Sequence, residues 1–425
     1  MNIYGVRINL AIERFEDGKP LPNGLTDAQA ANFSDTLESP FLDYPRIFYY
    51  LKESNFKVRT HTIENAPRDS WYVLHLNFFD HTLDYLDLIP EHIMKKINQG
   101  YFKLVMFYQE ADNPAVIEER LIELCEKHNN KSLYNLHDPK LIFFSGNSEA
   151  SKQTTLCHYW PEIEYMFKRS VNFTKAARYS TNPRAKKFVC LNRVHKYWRA
   201  CIAQELYNNN FSYHGYFSYL NIQQDDIEPF TAMPLDLDFL NDQAPHVTTL
   251  LNAAPLFADN ISPSEANNYS TLCTELYQTS YFNFTLESFL DMDSSNGLGI
   301  SEKSFKPILH NQPFIIAGPH HHLKHLCDLG YKTFSRLIDE SYDEILDNTK
   351  RLQAVTKLMC EIANKPIEEL HELYIALKPE IIHNRKVFKG TKLNAFIKQR
   401  LEEVVRTVTT NDLTTEEIKA LEEVL

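Results

Sequence analysis

The chain has 425 residues, of which 43% are hydrophobic and 24% charged, a composition typical of globular proteins. This length exceeds one ordinary core and predicts two domains with a helical appendage. The 44 basic and 56 acidic residues give a formal net charge of -12, which disfavours a protein that wraps nucleic acid, because phosphates need cations. Glycine is scarce, at 11 residues, so a glycine-rich phosphate loop is not expected.

The arrangement of cysteines and the hydropathy of the chain predict the cellular compartment of the protein. The 7 cysteines are scattered and never form a CxxC pair, which indicates reduced thiols in a reducing compartment. The N-terminal segment has acidic residues where a signal peptide needs an apolar run. No segment approaches the about 20 apolar residues of a membrane span. We therefore expect a cytoplasmic protein with no transmembrane segment.

The first half of the chain alternates apolar runs with stretches of helical spacing. Strands are predicted at 71–79, 103–108 and 141–145, where aromatic and β-branched residues are frequent. Helices are predicted at 83–98 and 114–128, the second opening on a proline. This alternation predicts an α/β fold with a parallel sheet covered by helices.

A polar and basic segment, 168–187, interrupts this alternation around Pro183. We place the domain boundary there, which gives a first domain at 1–180 and a second at 181–365. The remaining residues, 366–425, are expected to form C-terminal helices.

The second half restarts the alternation of strands and helices. Its predicted elements are a strand at 188–191, a helix at 196–208, a short helix at 301–310, a strand at 313–317 and a helix at 321–329. Residues 221–269 are predicted to hold most of the irregular chain. From about 342 the chain is predicted helical, and its last helix opens at Thr414 with a capping box to Glu417.

The short helix 301–310 carries the pattern that points most directly to a ligand. Lys303 and Lys306 are spaced i,i+3 and project from one helix face, where two ammonium groups can hold a diphosphate. Glu302 beside them can accept hydrogen bonds from ribose hydroxyls. The loop Gly318-Pro319 leads to the next helix N-terminus, where free amides favour anions. A solvated surface helix explains the same charges, and the residues alone leave both interpretations open.

A second polar cluster follows the strand 188–191. Asn192 and Arg193 come at its end, and Lys196 and Arg199 open the next helix. Side chains at the carboxyl ends of parallel strands face the crevice where α/β proteins bind ligands, and the arginine fork suits phosphate. A basic helix start paired with a nearby acid is the alternative.

Candidate bases follow other strands. Glu287 precedes the 301–310 helix and lies in the same crevice or caps a helix. Glu110 follows the strand 103–108, and Asp80 and His81 follow the strand 71–79. A carboxylate or histidine at such a position can deprotonate an acceptor hydroxyl.

The sequence gives no convincing metal site. His321 and His325, within the run that starts at 320, lie i,i+4 on one helix face, but zinc needs a third ligand and none stands near in sequence. Asp236-Leu-Asp238 matches the DxD pattern of metal-bound nucleotides, a pattern that arises easily by chance in an acidic protein. We therefore predict that no metal is required. The marked motifs of P-loop, dinucleotide-binding, metalloprotease and serine hydrolase proteins are absent from the sequence.

The segment ISEKSFKPILHNQPFIIAG resembles the donor-binding signature of the α-1,3-fucosyltransferase-like enzymes, in which a Thr/Ser-Glu-Lys triplet precedes a helix and a buried strand. The continuation through 345 and the segment 188–208 resemble a group of bacterial and phage glycosyltransferase-like proteins. The resemblance covers well under half of the chain and leaves the first domain unmatched.

The resemblance implies two facing Rossmann-like domains of the GT-B type, with a nucleotide sugar held mainly by the C-terminal one. It places Glu302 at the ribose and Lys303 at the phosphates. It adds Arg193 as a second phosphate contact and Glu287 as a sugar or ribose contact.

The same resemblance implies a catalytic base from the N-terminal domain, with Glu110 as first choice and His81 as second. The expected reaction is metal-independent transfer of a sugar from a nucleotide diphosphate sugar to a hydroxyl of a glycan, a protein or a modified nucleic acid. One alternative is a non-catalytic binding or assembly protein with a vestigial nucleotide crevice. Another is a DNA-modifying glycosyltransferase, which the basic stretch 184–199 keeps open. The donor sugar is left open.

Overall fold

The computed structural model of the protein describes two N-terminal strands and most of the chain from 67 to 390. The described residues are 7–12, 57–62, 67–68, 70–76, 84–87, 89–108, 113–134, 140–148, 150, 157–159, 167, 171–222, 235–258, 271–290 and 298–390. The chain divides into two compact units, one comprising Met1–Glu162 with Asn394–Leu425 and the other Ile163–Leu393.

The first unit contains a six-stranded sheet in which every pairing is parallel. Its strands are β1 (Arg7–Ile12), β2 (Lys57–Thr62), β3 (Ser70–Leu76), β4 (Phe102–Tyr108), β5 (Leu141–Ser145) and β6 (Cys157–Tyr159). Their order is β2-β1-β3-β4-β5-β6, so the chain builds outward in both directions from β1. The predicted strands at 71–79, 103–108 and 141–145 are confirmed as β3, β4 and β5.

Two helices of the first unit are described, α1 (Glu91–Asn98) and α2 (Pro114–Lys127). Helix α2 begins as predicted, with Pro114 in the first turn and the Asn113 side chain accepting a hydrogen bond from Ala115 N at 3.0 Å. The helix predicted at 83–98 is wrong in its first half. Asp84 Oδ1 instead accepts the Leu86 amide in a turn, and α1 starts only after Pro90.

The second unit contains a four-stranded parallel sheet of β7 (Lys186–Val194), β8 (Tyr216–Ile222), β9 (Ser280–Leu286) and β10 (Phe314–Ala317). The strand order is β10-β9-β7-β8. All residues of β9 and β10 are buried, as expected for parallel strands covered on both faces. Both sheets therefore confirm the predicted α/β class with Rossmann-like parallel sheets.

Eight α-helices are described in the second unit. They are α3 (Tyr197–Asn208), α4 (Leu237–Ala253), α5 (Thr274–Gln278), α6 (Glu302–Leu309), α7 (His322–Asp328), α8 (Asn348–Asn364), α9 (Ile367–Ala376) and α10 (Lys378–Lys389). The predictions at 196–208, 301–310 and 321–329 are confirmed. The irregular chain predicted over 221–269 is wrong where α4 lies.

The core of the second unit joins its sheet to the last described helices. Phe188 of β7 stacks on Phe284 of β9 at 4.6 Å between ring centroids, and Phe388 of α10 stacks on Phe305 of α6 at 5.9 Å. Tyr374 of α9 is fully buried. The helices α8 to α10 therefore complete this core. Over the described part of the chain, no helix combines the length and the apolar character needed to cross a membrane.

Candidate functional site

The candidate site lies at the carboxyl edge of the second sheet. The chain passes from β7 to β8 on one side and then to β9 on the other, so the strand order reverses between β7 and β9. Connections from these two strands leave in opposite directions and open a crevice, which is where open α/β sheets bind ligands. The residues that follow β7 and β9 are therefore placed at the crevice by topology alone.

The end of β7 carries two of the predicted residues. Its register against β8 shifts between Asn192 and Val194, a local irregularity of the kind that redirects side chains next to binding sites. Asn192 is buried and its amide donates to Cys190 Sγ at 3.3 Å. Arg193 is half-buried, and its guanidinium lies 3.9 Å from Cys273 Sγ, just before α5.

The first turn of α3 connects to the loop that follows β9. Lys196 Nζ donates to the Ser288 carbonyl at 2.8 Å, and Arg199 Nε donates to the Glu287 carbonyl at 2.9 Å. Arg199 is buried, and burial lowers its pKa to about 10, still well above neutral pH. Arg199 therefore connects α3 to the end of β9 inside the protein, whereas Lys196 lies half-buried at the edge of the crevice.

Glu287 lies at the centre of a buried network. Ser304 Oγ donates to Glu287 Oε1 at 2.5 Å and contacts His322 Nε2 at 3.0 Å, while the Ser288 amide donates to Glu287 Oε2 at 2.9 Å. Burial by itself raises the pKa of Glu287, but His322, Lys303 and two serine hydroxyls outweigh burial and lower the pKa below its ordinary value. The carboxylate is thus satisfied from inside the protein, which favours a supporting role over direct contact with a ligand.

His322 is a buried member of this network. Burial lowers the pKa of this imidazole, although the nearby Glu287 and Asp343 carboxylates oppose that shift. Its Nδ1 has no hydrogen-bond partner among the described residues. A Cβ added at Gly318 would lie 3.2 Å from the ring, so the turn after β10 packs closely on it.

Helix α6 carries the predicted carboxylate of Glu302 and the predicted ammonium of Lys303. Ser301 is the N-cap, and its hydroxyl accepts the Lys303 amide at 3.2 Å. Lys303 Nζ donates to Ser288 Oγ at 3.0 Å and forms an ion pair of 3.2 Å with Glu302 Oε1. Burial raises the pKa of Glu302, but Lys303 and Lys306 together lower it below its ordinary value, so the carboxylate stays charged.

Lys306 differs from the other cations of the crevice. Its side chain is half-buried and has no hydrogen-bond or ion-pair partner within the described part of the chain. Burial lowers the pKa of Lys306, and although Glu302 opposes this, Lys303 and Arg193 lower the pKa further. The ammonium therefore lies near the Glu302 carboxylate and the cations Lys303 and Arg193, but no described side chain pairs with it directly.

The structure brings together residues that lie far apart in the sequence. Lys196 and Lys303 both contact Ser288, and Arg193, Glu302 and Lys306 interact electrostatically. Several cations at the carboxyl edge of a parallel sheet form a site suited to a polyanion such as a diphosphate.

Sequence patterns missed four members of this arrangement. These are Cys273, Ser288, Ser304 and His322. Cys273 and Ser288 fall in connections without a motif. Ser304 was detectable, because it follows Ser301 by three residues and so lies one turn further along α6. His322 was hidden in a histidine run that sequence spacing assigned to a helix start.

The remaining predicted residues are the two candidate bases and the DxD aspartates. Glu110 and His81, the candidate bases, lie outside the described residues. Asp236 of the DxD pattern is the N-cap of α4, where its carboxylate accepts the Phe239 amide at 3.0 Å. The neighbouring Asp238 is exposed in the first turn of that helix. Both aspartates thus have a helix-starting role.

A separate cleft of about 670 Å³ lies between α3, α4 and α8. Its charged lining consists of Glu205, Lys357 and Glu361. This balance of charges suits a diphosphate less well than the cations of the crevice.

No protein-family model and no curated protein matches the chain in sequence.

Proposed function

We propose that the crevice at the ends of β7 and β9 binds the nucleotide diphosphate part of a sugar donor and that the protein is a metal-independent glycosyltransferase. The observation that carries the proposal is the Lys306 ammonium, which is half-buried beside other cations and has no hydrogen-bond partner within the described chain. Desolvating an unpaired cation is unfavourable, so such a group is expected where an anionic ligand completes the arrangement.

The donor diphosphate is expected to bridge two groups of cations. Arg193 and Lys306, which interact electrostatically, form one group, and Lys196 and Lys303, which both contact Ser288, form the other. Charge-assisted hydrogen bonds from arginine and lysine to phosphate are among the strongest in proteins. The same cations would stabilise the negative charge that develops on the departing diphosphate, which is the role a metal performs in other transferases.

Glu302 is proposed to bind the ribose. Its carboxylate is kept charged by Lys303 and Lys306, and its side chain is 18% exposed, so the group is partly accessible beside the ion pair. A charged carboxylate is an acceptor only, which matches two neighbouring ribose hydroxyls. The proposal therefore gives Glu302 a ligand contact and leaves Glu287 to hold α6 in position.

The remaining parts of the proposal follow from the sequence. A GT-B arrangement would pair this unit with the first, whose sheet has the same strand order around its first strand. The acceptor hydroxyl would be deprotonated by Glu110, with His81 as the second choice. The acceptor itself is a glycan, a protein or a modified nucleic acid.

The DNA-modifying alternative loses support from the contacts of its basic stretch. Arg184 and Arg199 are buried and donate to backbone carbonyls, and Lys187 Nζ donates to the Ala363 carbonyl at 2.9 Å. Cations engaged inside the fold do not neutralise DNA phosphates.

Calorimetric titration tests the proposal. We expect the full-length protein, dialysed against EDTA, to bind one of UDP, GDP, CDP, ADP and dTDP. Lys306→Ala should weaken that binding about 10- to 100-fold, the range expected for a charge-assisted hydrogen bond. The matched control is Lys350→Ala, an exposed lysine of α8.

The outcomes separate the candidate functions. Incubation with the sugar form of the bound nucleotide should release the nucleoside diphosphate when an acceptor is present. Unchanged nucleotide binding in Lys306→Ala would show that the donor binds at another place in the protein. Failure of every nucleotide at millimolar concentration would instead favour the non-catalytic binding protein.

A further inference from the structure

The turn after β10 brings two histidines to a glutamate from a distant turn. His320 and His321 follow Gly318-Pro319, and Glu344 ends the 3-10 turn Ser341–Glu344. His321 Nε2 lies 2.9 Å from Glu344 Oε2. One ligand atom from each of His320, His321 and Glu344 lies within 4.8 Å of the other two. Glu344, which is 23 residues from His321 in the sequence, is therefore the third potential ligand.

The backbone fixes these side chains before any ligand arrives. His321 N donates to the Asp343 carbonyl at 2.9 Å, which joins the two turns directly. The Asp343 carboxylate accepts the Leu323 and Lys324 amides at 2.9 Å and 3.1 Å, which anchors the start of α7 to the same turn. The His320 and His321 rings stack at 3.7 Å between centroids. Preorganised ligands lose little freedom when a metal binds.

The third histidine of the run points elsewhere. His322 contacts Ser304 and Glu287 in the core, so it belongs to the network behind the crevice. The run thus divides into a buried histidine and a pair that faces Glu344. This division explains why helical spacing from His321 to His325 did not identify the ligand set.

We propose that His320, His321 and Glu344 bind a divalent cation of the zinc class, with water as the fourth ligand. Two imidazoles and one carboxylate form a ligand set that zinc accepts, with a position left open to solvent. Tetrahedral bonds of about 2.0–2.2 Å place ligand atoms about 3.4 Å apart, so the observed separations need adjustments on the order of 1 Å.

The surroundings favour a cation. Glu344 also lines a cleft of about 370 Å³, together with Asp339, Glu340 and Asp343. This acidic lining beside Glu344 attracts a divalent ion. Lys324 in the same cleft and Arg351 near His320 oppose that attraction.

A second group of potential ligands is less suited to a metal. Asp84, Asp87 and His128 converge in the first unit. Lys127 Nζ already lies 2.7 Å from Asp84 Oδ2, so an ammonium group occupies the position a metal would need. This group serves as an internal comparison in the test.

The cation would act on the structure around the crevice rather than on the donor. Binding would tie the turn after β10 to Ser341–Glu344 and make the second unit more stable, because a ligand that binds only the folded state shifts unfolding to higher temperature. The inference goes beyond the proposed function, which needs no metal, so either can fail without the other.

Titration with zinc alone tests the inference. We expect the full chain, stripped with EDTA, to bind one Zn²⁺ tightly and to unfold at higher temperature when zinc is present. His321→Ala and Glu344→Ala should each weaken binding by at least about 100-fold, because even outer partners of metal ligands contribute 10- to 100-fold. The matched controls are His246→Ala, an exposed histidine of α4, and His128→Ala.

Glu344 is mostly exposed, so its replacement leaves the fold intact, which circular dichroism verifies. Retained binding in both His321→Ala and Glu344→Ala would overturn the inference, as would loss of binding only in His128→Ala. Absence of any zinc binding to the wild-type protein would overturn it as well.

Discussion

Ser304 shows how one small side chain positions the crevice. It is fully buried, donates to the Glu287 carboxylate and contacts His322. Because Ser304 belongs to α6, the same contacts hold the helix that carries Lys303 and Lys306. The residue links the end of β9 to the turn after β10 through a single hydroxyl.

Replacing Ser304 with alanine should therefore destabilise the second unit. The substitution removes a donor from a buried carboxylate and a partner from a buried imidazole, and each unsatisfied group costs about 1–3 kcal/mol. We expect the free energy of unfolding in urea to fall by about 2–4 kcal/mol. Ser335→Ala, at an exposed serine, should change it by less than about 0.5 kcal/mol. Equal stabilities for the two variants would contradict the role given to Ser304.

His310 makes a second residue-scale prediction, which concerns pH. The ring is buried, accepts the Ala177 amide at Nδ1 over 3.0 Å and stacks on Tyr277 at 4.3 Å. Burial, together with Arg385 and Lys306, lowers its pKa to about 3. In the unfolded chain the ordinary pKa is about 6.5, so the unfolded state binds the proton first as the pH falls. The stability contributed by neutral His310 is complete above that ordinary pKa and is lost as the pH falls toward the folded value.

We expect the free energy of unfolding to decrease between pH 6.5 and 4 by up to about 1.4 kcal/mol per pH unit on account of His310. Asparagine can accept the Ala177 amide without titrating, so His310→Asn should show a smaller slope over that range. Urea unfolding at several pH values measures both slopes. His246→Asn, at an exposed position, should keep the wild-type slope. Identical slopes for His310→Asn and the wild type would refute the assignment.

At the scale of elements, the strands that were predicted correctly are those with a clear apolar run in the sequence. The strands β4, β5 and β10 are short apolar runs bounded by polar residues, and their predicted bounds agree with the structure within one residue. Strands β8 and β9 were missed, since YFSYLNI and SYFNFTL mix polar and aromatic residues. Neither strand has the continuous apolar run or strict alternation on which the prediction depended.

Helix α4 was missed for a different reason. Its surroundings are rich in Asp, Asn and Pro, and Pro245 lies inside the helix, so the composition indicated a loop. The helix forms because Asp236 caps its start and because Leu240, Val247 and Leu250 are buried at helical spacing. Local capping and packing thus outweighed propensity.

Removing that cap should weaken the helix measurably. Asp236→Ala leaves the Phe239 amide without its acceptor, and loss of such a cap costs about 1 kcal/mol. We expect the unfolding midpoint in urea to fall accordingly. Asp242→Ala, at an exposed position in the helix interior, should cause no loss, because alanine has the higher helix propensity. A larger loss in Asp242→Ala than in Asp236→Ala would contradict the capping role.

At the scale of the whole molecule, the sequence predicted several of the charged residues that meet in the crevice but not how they are buried and paired. The spacing of Lys303 and Lys306 and the position of Arg193 after a strand were sufficient to select them. The sequence could not show that Glu287 is enclosed or that Lys306 has no direct partner among the described residues, because both depend on chain segments that are distant in sequence. Burial and pairing of charges are tertiary properties.

Because the chain divides into two compact units, we predict that a fragment of residues 163–393 folds by itself. The buried cluster of this unit is continuous and includes residues of its sheet and of α8 to α10. We expect the fragment to give a cooperative thermal transition by circular dichroism and to retain the nucleotide affinity proposed for the full chain. A fragment ending at 365 is the comparison, and it should fail to fold because it lacks α9 and α10. Cooperative folding of the shorter fragment would contradict this account.

Three buried arginines of the second unit make hydrogen bonds whose acceptors do not titrate. Arg184, Arg199 and Arg351 each donate to backbone carbonyls, with Arg351 reaching those of Gly318 and Ile345. Carbonyl oxygens do not titrate and guanidinium groups stay charged, so these ties persist at pH values where carboxylate ion pairs are lost. Acid should therefore destabilise this fold first by protonating its buried neutral histidines. The hydrogen bonds of the arginines should still connect the ends of its strands at that pH.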